Sequence, residues 1–381
     1  MRLLHTSDWH LGMTFRSGTS YCKDQEFFIE DIINVALNER VDGIIIAGDV
    51  FDKSIASNEA LSLYDQTMTR ICAELNIPVF IVAGNHDGAR RLSQCNELLK
   101  KSGLYVAGAL QKEAQMVSMG DVDIYMLPWI STDKVRSIFP DEADDVDSIE
   151  DAYKLVLDKY RAGFNLEHKN ILIAHAFIVN AITSVSDRAA EVGRATMVSS
   201  KVFEGFDYVA LGHLHGPQDV NEHIRYSGTP MIYSFGREES QIKSVTIYDT
   251  DTSEKKIVPI NNLYRRTTLK GKYEELIKAD YDEDIVDGYV RLEVTDSYVG
   301  LETISAFREK YKNLLEISGK SLEKDDAKIT MTIDELEEAD NNPSSIFERY
   351  CEDILEAAPS KHLSEMFLRA LESYEKEVTE E

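Results

Sequence analysis

Five short polar clusters hold the side chains with metal-ligand or acid–base chemistry. They are Asp8-Trp9-His10, Gly48-Asp49-Val50-Phe51-Asp52, Gly84-Asn85-His86-Asp87, His175, and Gly212-His213-Leu214-His215. Asp8, His10, Asp49, Asn85, His175, His213 and His215 offer oxygen and imidazole donors and no thiolate. That set suits Mn²⁺, Fe²⁺, Mg²⁺ or Zn²⁺ at five or six coordination. Seven donors are too many for one small ion and suit two. A carboxylate can bridge two cations about 3.5–4 Å apart, and such a pair clamps both oxygens of an in-line phosphoryl displacement, with a metal-activated water as nucleophile. Asp49 is the natural bridge, because its charge offsets the repulsion between the ions. Asn85 adds a neutral amide oxygen. His86 is expected to stay off the metals, stabilise the phosphoryl oxygens and protonate the leaving alkoxide, with Asp87 orienting it.

Each cluster follows a short apolar run, so the fold must bring strand ends together. Arg2–His5, Gly43–Ala47, Pro78–Ala83, Asn170–His175, Tyr208–Leu211, His223–Tyr226 and Ser244–Tyr248 read as strands. Asp24–Arg40 reads as a helix with Phe27, Phe28, Ile32, Val35 and Ala36 on one side. Ser57–Asn76 reads as another, with Leu61, Tyr64, Met68 and Ile71 at helical steps. The alternation predicts an α/β fold of two facing mixed β-sheets flanked by helices, with sites just beyond the strand ends. A lone Asp-x-His is usually an ordinary turn. His-x-His on a strand is stronger, since both side chains share a face, and five such clusters in order argue strongly against chance. His5, His168, His223 and His362 read as structural or solvent-facing.

After about residue 260 the pattern changes. A strand at Tyr289–Thr295, a helix at Glu302–Leu315 and a strand at Ala327–Ile333 suggest a small α+β unit, and Asp340-Asn341-Asn342 a linker. Two terminal helices carry a stripe that includes Phe347, Tyr350, Ile354, Met366, Phe367 and Leu371. Such a pair cannot fully bury that stripe between them, which points to a partner helix or groove; the alternative is that they pack onto their own domain or form a small two-helix hairpin.

With 68 acidic and 41 basic residues, the 381-residue chain carries a formal charge of −27, which excludes a general nucleic-acid binder acting through bulk charge. Any phosphate chemistry then needs bound cations and local bases. Arg16, Lys23, Lys53, Arg90, Arg91, Arg188 and Arg194 lie near the motif loops. The cysteines, at 22, 72, 95 and 351, form no CxxC pair, which speaks against a zinc ribbon and fits reduced thiols. No apolar run is long enough to cross a bilayer and the first residues do not read as a signal peptide, so the expectation is a cytoplasmic protein without membrane contact.

The order Asp-x-His, Gly-Asp, Gly-Asn-His-Asp, His, Gly-His-x-His resembles the calcineurin-like metallophosphoesterase superfamily. More narrowly, His5–Gly12, Ala47–Asp52, Tyr208–His215 and Tyr226–Pro230 resemble the family of SbcD-type nuclease subunits of the bacterial SbcCD exonuclease, over about residues 1–260. Ala174 departs from the Gly often found there, a small change that leaves the His175 ligand in place. The resemblance implies two divalent ions, Mn²⁺ first among them: one held by Asp8, His10, Asp49 and His215, the other by Asp49, Asn85, His175 and His213. It implies His86 as the catalytic histidine. It further implies a nuclease domain at 1–265, a capping domain at 266–340, and C-terminal helices at 341–381 that dock on an SbcC-like SMC-type ATPase. The activities implied are 3′-to-5′ exonuclease on duplex DNA ends and endonuclease on single strands and hairpins, in repair, recombination and replication, by a homodimer within a heterotetramer. The alternative enzyme is a phosphatase or small-molecule phosphodiesterase of the same superfamily. Phosphoprotein phosphatases typically continue the second motif as Gly-Asp-x-x-Asp-Arg-Gly and end the third in Glu, whereas here Lys53-Ser54 follows Asp52 and the third motif ends in Asp87. A non-catalytic scaffold would have lost ligands, and an acidic interaction module would not need the clusters.

Overall fold

The computed structural model describes residues 1–15, 20–184, 186, 197–296, 301–319, 329–332, 364 and 366–368. The chain divides into two units, Met1–Thr14 with Ser20–Arg265, and Phe15–Thr19 with Arg266–Glu381. The terminal-helix residues Phe347, Tyr350, Ile354 and Leu371 lie outside the described residues, as do Arg16, Arg188, Arg194, His362 and the 340–342 linker. Met366 is exposed and Phe367 half-buried on a described helical fragment.

The first unit is built on two six-stranded mixed sheets flanked by helices. One contains β1 (Arg2–Thr6), β2 (Gly43–Ala47), β3 (Val79–Val82), β4 (Leu104–Ala107), β13 (Ser244–Asp249) and β14 (Glu254–Pro259), in the order β14-β13-β1-β2-β3-β4. The other contains β5 (Met116–Met119), β6 (Val122–Leu127), β7 (Lys169–His175), β10 (Tyr208–Gly212), β11 (Gln218–Asp219) and β12 (Ile224–Tyr226), in the order β11-β12-β10-β7-β6-β5. A separate short ladder pairs β8 (Phe177–Ile178) with β9 (Met197–Val198). β1, β2, β3 and β4 run parallel, as do β6, β7, β10 and β12.

β2, β3 and β10 are apolar throughout because both of their faces are buried. Leu3, Ile45, Phe80 and Val82 of the first sheet meet Ile124, Ile171, Ile173, Tyr208 and Ala210 of the second in one cluster. The alternate residues Tyr125, Leu172, Ala174, Val209 and Leu211 face the other way. They pack with Tyr153, Val156, Leu157 and Tyr160 of the helix Ile149–Arg161. A capping box starts that helix: the Ser148 hydroxyl accepts from the Asp151 N–H, while Asp151 accepts from the Ser148 N–H.

The helix Cys22–Glu39 buries Phe28, Ile29, Ile32, Ile33, Val35 and Ala36. Phe27, expected on that face, is 37% exposed, since about 100° of rotation per residue carries it past the stripe that Ile29 and Ile33 occupy. The helix at Asn58–Met68 opens on Ser57, whose hydroxyl accepts from the Ala60 N–H. It passes into a wider turn over Thr69–Glu74, and Leu61 is exposed.

The second unit has a sheet of β15 (Arg266–Gly271), β16 (Tyr289–Val294), β17 (Asn313–Gly319) and β18 (Ile329–Thr332) in that order. Leu276, Val290, Leu292, Ile304, Phe307, Tyr311 and Ile317 form its core. The helix expected to reach Leu315 ends at Lys310. Asn313, Leu314 and Leu315 belong instead to β17, because pairing with its neighbours satisfies the backbone there.

Candidate metal centre

The five clusters converge at the C-terminal ends of parallel strands. Asp8 and His10 follow β1, Asp49 follows β2, Asn85, His86 and Asp87 follow β3, His175 ends β7, and His213 and His215 follow β10. Gly212 pairs with His175 in the sheet. The His175 Nδ1–H donates across to the Ala47 carbonyl at 2.9 Å, tying the two sheet ends together.

Past the strand ends, the loops after β1 and β2 keep bonding to each other. The N–H groups of Asp8, His10 and Leu11 donate to the carbonyls of Gly48, Asp49 and Val50, at 3.0, 3.0 and 2.8 Å. This irregular ladder holds Asp8, His10 and Asp49 at φ of 52°, 45° and 49°, a left-handed region that non-glycine residues seldom adopt. His213 has a φ of 103°. Backbone of this kind survives only where the surroundings over-determine it, and it concentrates at functional sites.

Seven donor side chains form two connected nests. The donor atoms of Asp8, His10 and His215 lie within 4.8 Å of one another, as do those of Asp49, His175 and His213. Asp49 stands between the nests: its Oδ2 is 3.3 Å from His175 Nε2 and 3.9 Å from His10 Nε2. Asn85 Oδ1 is 3.0 Å from His175 Nε2 and 3.1 Å from His213 Nδ1. His10 Nε2 and His215 Nε2 face each other at 3.1 Å. The Asp8 carboxylate is steered by the His213 backbone N–H at 3.0 Å.

The residues fit divalent cations. Lone-pair atoms crowd one another at hydrogen-bond distance with few hydrogens to share: His10 Nε2 faces His215 Nε2, and Asn85 Oδ1 meets two imidazole nitrogens. The donors are oxygen and imidazole only.

Electrostatics separates the group. Burial pushes the Asp8 carboxyl upward, and the neighbouring Asp49 adds to the rise. Asp49 is driven far down: burial opposes this, but the His175 charge and hydrogen bond overcome it. His175 is raised for the reciprocal reason, the attraction of Asp49 outweighing burial. Burial holds His10 and His215 well below the ordinary histidine range and takes His213 down to about 3, so these three rings are neutral donors.

His86 sits at the edge of the nests, with Nε2 4.0 Å from Asp49 Oδ2. Its Nδ1 lies 2.9 Å from the Asp52 carbonyl, which leaves Nε2 as the free ring atom. Asp87, expected to orient this ring, is engaged elsewhere: its carboxylate accepts from the backbone N–H groups of Gly84, Val50 and Phe51 at 2.9, 3.2 and 2.9 Å. It therefore joins the loops after β2 and β3, and the carbonyl of Asp52 orients His86.

Several supporting groups have no motif signal. Gln25 Nε2 donates to the His10 carbonyl at 2.8 Å and its Oε1 accepts from the Gly12 N–H at 3.0 Å; a buried glutamine in an amphipathic helix was the one available hint. The Tyr233 hydroxyl donates to the Trp9 carbonyl at 2.6 Å. Trp129 stacks on the His213 ring, with centroids 5.3 Å apart and planes at 23°. Among the basic residues named above, Lys23, Lys53, Arg90 and Arg91 are exposed, and Arg91 donates to the Ser54 carbonyl at 2.7 Å. Among the described residues no helix is long and apolar enough to cross a membrane.

The profile of the calcineurin-like phosphoesterase family matches residues 1–217. A Staphylococcus epidermidis protein named as the SbcD component of the nuclease SbcCD is 30% identical over 322 residues, covering 84% of this chain and 85% of that one. Its namesake from Staphylococcus saprophyticus is 28% identical over 326 residues, covering 85% and 86%. The crystal structure of TT1561 of Thermus thermophilus overlaps 68% of this chain and 99% of its own, at 13% identity and a TM-score of 0.40.

Proposed function

This chain belongs to the calcineurin-like phosphoesterase family, among the SbcD-type nuclease subunits, and from that premise we propose that it is a DNA nuclease subunit with a dinuclear divalent-metal centre. The observation that carries the reading is the pair of donor nests joined at Asp49. Asp8, His10, Asp49 and His215 would hold one cation, and Asp49, Asn85, His175 and His213 the other, with Mn²⁺ the first choice. The pair, when bound, supplies Lewis acidity: it activates water and neutralises the phosphoryl oxygens.

The chain's own groups do the rest. Asp49 brings a carboxylate that stays ionised under the pull of His175. His86, with Nδ1 fixed by the Asp52 carbonyl, presents Nε2 to hold a proton at the leaving oxygen or to stabilise the phosphoryl oxygens. Asp87 keeps the loops of Asp49 and His86 in register.

The substrates we propose are duplex DNA ends, cut 3′ to 5′, and single strands and hairpins, cut internally, during end processing in repair, recombination and replication. The unit from Arg266 to about residue 340 would act as a capping domain. Residues 341–381 would dock on an SbcC-like SMC-type ATPase, with two copies of each subunit in a cytoplasmic heterotetramer. At a formal charge of −27, much of the DNA affinity must come from bound cations and the partner.

The test is the full chain with Mn²⁺, then Mg²⁺, on a 5′-labelled hairpin-ended duplex, beside an aryl phosphomonoester. Metal-dependent DNA cleavage, lost in His86→Ala while Mn²⁺ uptake persists, is the expected result. Turnover of the monoester with the DNA left intact would overturn the nuclease reading in favour of a phosphatase.

A further inference from the structure

Behind His215 runs a line of polar groups outside all five motifs: Ser186, half-buried, and Glu238 and Lys243, both buried. Ser186 Oγ is 2.6 Å from His215 Nδ1, and the same hydroxyl donates to Glu238 Oε1. A hydroxyl has one hydrogen. With that hydrogen on the carboxylate, the serine oxygen must accept from the ring, so His215 Nδ1 carries the proton. Nε2 is then left with its lone pair, and it is Nε2 that faces His10 in the Asp8 nest.

The carboxylate is itself held firmly. Glu238 is fully buried and Lys243 nearly so. Lys243 Nζ is 3.5 Å from Glu238 Oε2 and donates to the His215 carbonyl at 3.0 Å. Glu238 Oε2 also accepts from the Tyr233 and Ser234 N–H groups, at 3.0 and 3.4 Å. One buried ion pair thus grips His215 at both ends, the ring through Ser186 and the backbone through Lys243. Buried ion pairs are a costly way to hold a loop, because well-packed apolar side chains often do as well or better. A carboxylate that fixes the tautomer of a ligating histidine and raises its basicity has a use that apolar packing cannot supply.

We propose that Glu238, acting through Ser186, is the positioning group for His215: it holds the Nδ1–H tautomer and makes Nε2 the metal donor, while Lys243 clamps both Glu238 and the His215 backbone. The inference rests on reading the two nests as a divalent-cation centre, and it deepens that reading.

Two measurements on the full chain test it. Long-range ¹H–¹⁵N spectra of the metal-free protein report the His215 tautomer directly. Calorimetric titration with Mn²⁺ reports affinity without any activity assay. The wild type is expected to show Nδ1–H. Ser186→Ala, which changes no charge, is expected to lose that tautomer and bind Mn²⁺ about 10–100-fold more weakly. Ser186→Thr, which keeps the hydroxyl, is expected to restore both. Glu238→Gln should follow Ser186→Ala; if it fails to fold once the carboxylate charge facing Lys243 is gone, the serine variants still decide. An Nε2–H tautomer in the wild type, or a Ser186→Ala protein with unchanged tautomer and affinity, would overturn the relay while leaving the metal centre standing. A wild type that takes up no Mn²⁺ would instead bring down the metal-centre reading, and the relay's purpose with it.

Discussion

His5 gives a sharp prediction about acid stability. It lies on β1, three residues before Asp8, and bridges the two sheets: Nδ1 is 2.9 Å from the Tyr208 hydroxyl and Nε2 is 3.1 Å from the Leu211 carbonyl. A carbonyl can only accept, so Nε2 carries the proton and Nδ1 accepts from Tyr208. The neutral ring is fully satisfied. Burial, helped by the Arg225 charge, takes its pKa down to about 3 from 6.5. The unfolded chain therefore binds a proton near pH 6.5 that the folded chain refuses until near pH 3. Stability falls with decreasing pH across that window and is unaffected above it. The expected loss from this one group is roughly 0.1 kcal/mol at pH 7.5 and about 2 kcal/mol at pH 5. Against a total of about 5–15 kcal/mol, that is readily measured. The assay is urea unfolding of the wild type and His5→Gln at pH 7.5, 6 and 5, with chelator present. Other buried histidines also titrate, so the quantity of interest is the difference between the two proteins at each pH. His5→Gln is less stable at pH 7.5, having lost fitted contacts, and the gap should close by about 2 kcal/mol at pH 5. A gap that stays constant with pH would refute the reasoning, because it would mean that the ring takes up its proton equally in both states.

Three further outcomes follow from the site. Gly84→Ala puts a methyl group onto the Asp49 carboxylate and backbone, so the variant should fold yet lose about tenfold or more in Mn²⁺ affinity by calorimetry; wild-type affinity would contradict the packing. Asp87→Asn removes one acceptor oxygen from a carboxylate bonded to three backbone N–H groups, and should cost about 1–3 kcal/mol in urea unfolding, with turnover reduced although the side chain leaves His86 untouched; unchanged stability would show that those bonds are dispensable. Trp129 stacks on His213, and the only other tryptophan, Trp9, lies between Asp8 and His10, so Mn²⁺ at the two nests should quench the emission of both. Tryptophan emission that Mn²⁺ leaves unquenched in the wild type would place the ion elsewhere.

What could be read from the sequence and what could not divide along a physical line. β2, β3, β7 and β10 were legible because strands buried on both faces are uniformly apolar and end abruptly in polar residues. β6 was missed: Asp123 interrupts Val122–Leu127, and only its partners across the sheets reveal it as a strand buried along its whole length. The helix expected over Glu302–Leu315 runs too far, into the first residues of β17, because a short apolar run satisfies either period and the neighbours in the sheet decide. The motif residues were legible because their chemistry is carried by residue type. Their supports were not, since Gln25, Trp129, Ser186 and Glu238 reach the site from distant positions in the chain and carry no motif.

The misplaced role of Asp87 shows the same division at the scale of one loop. By sequence adjacency it belongs to His86, yet a carboxylate beside three unsatisfied N–H groups is better used there than on a ring that a carbonyl already serves. The same logic explains why Asp8, His10 and Asp49 tolerate left-handed backbone. Each such residue costs about 1–3 kcal/mol, and no local preference recovers that. The bonds from the loop after β1 to the loop after β2 recover it jointly, and they form only once the two parallel strands are paired. The donor geometry is therefore a property of the assembled sheet, and the strain it stores is held by backbone bonds rather than by the donor atoms of the side chains.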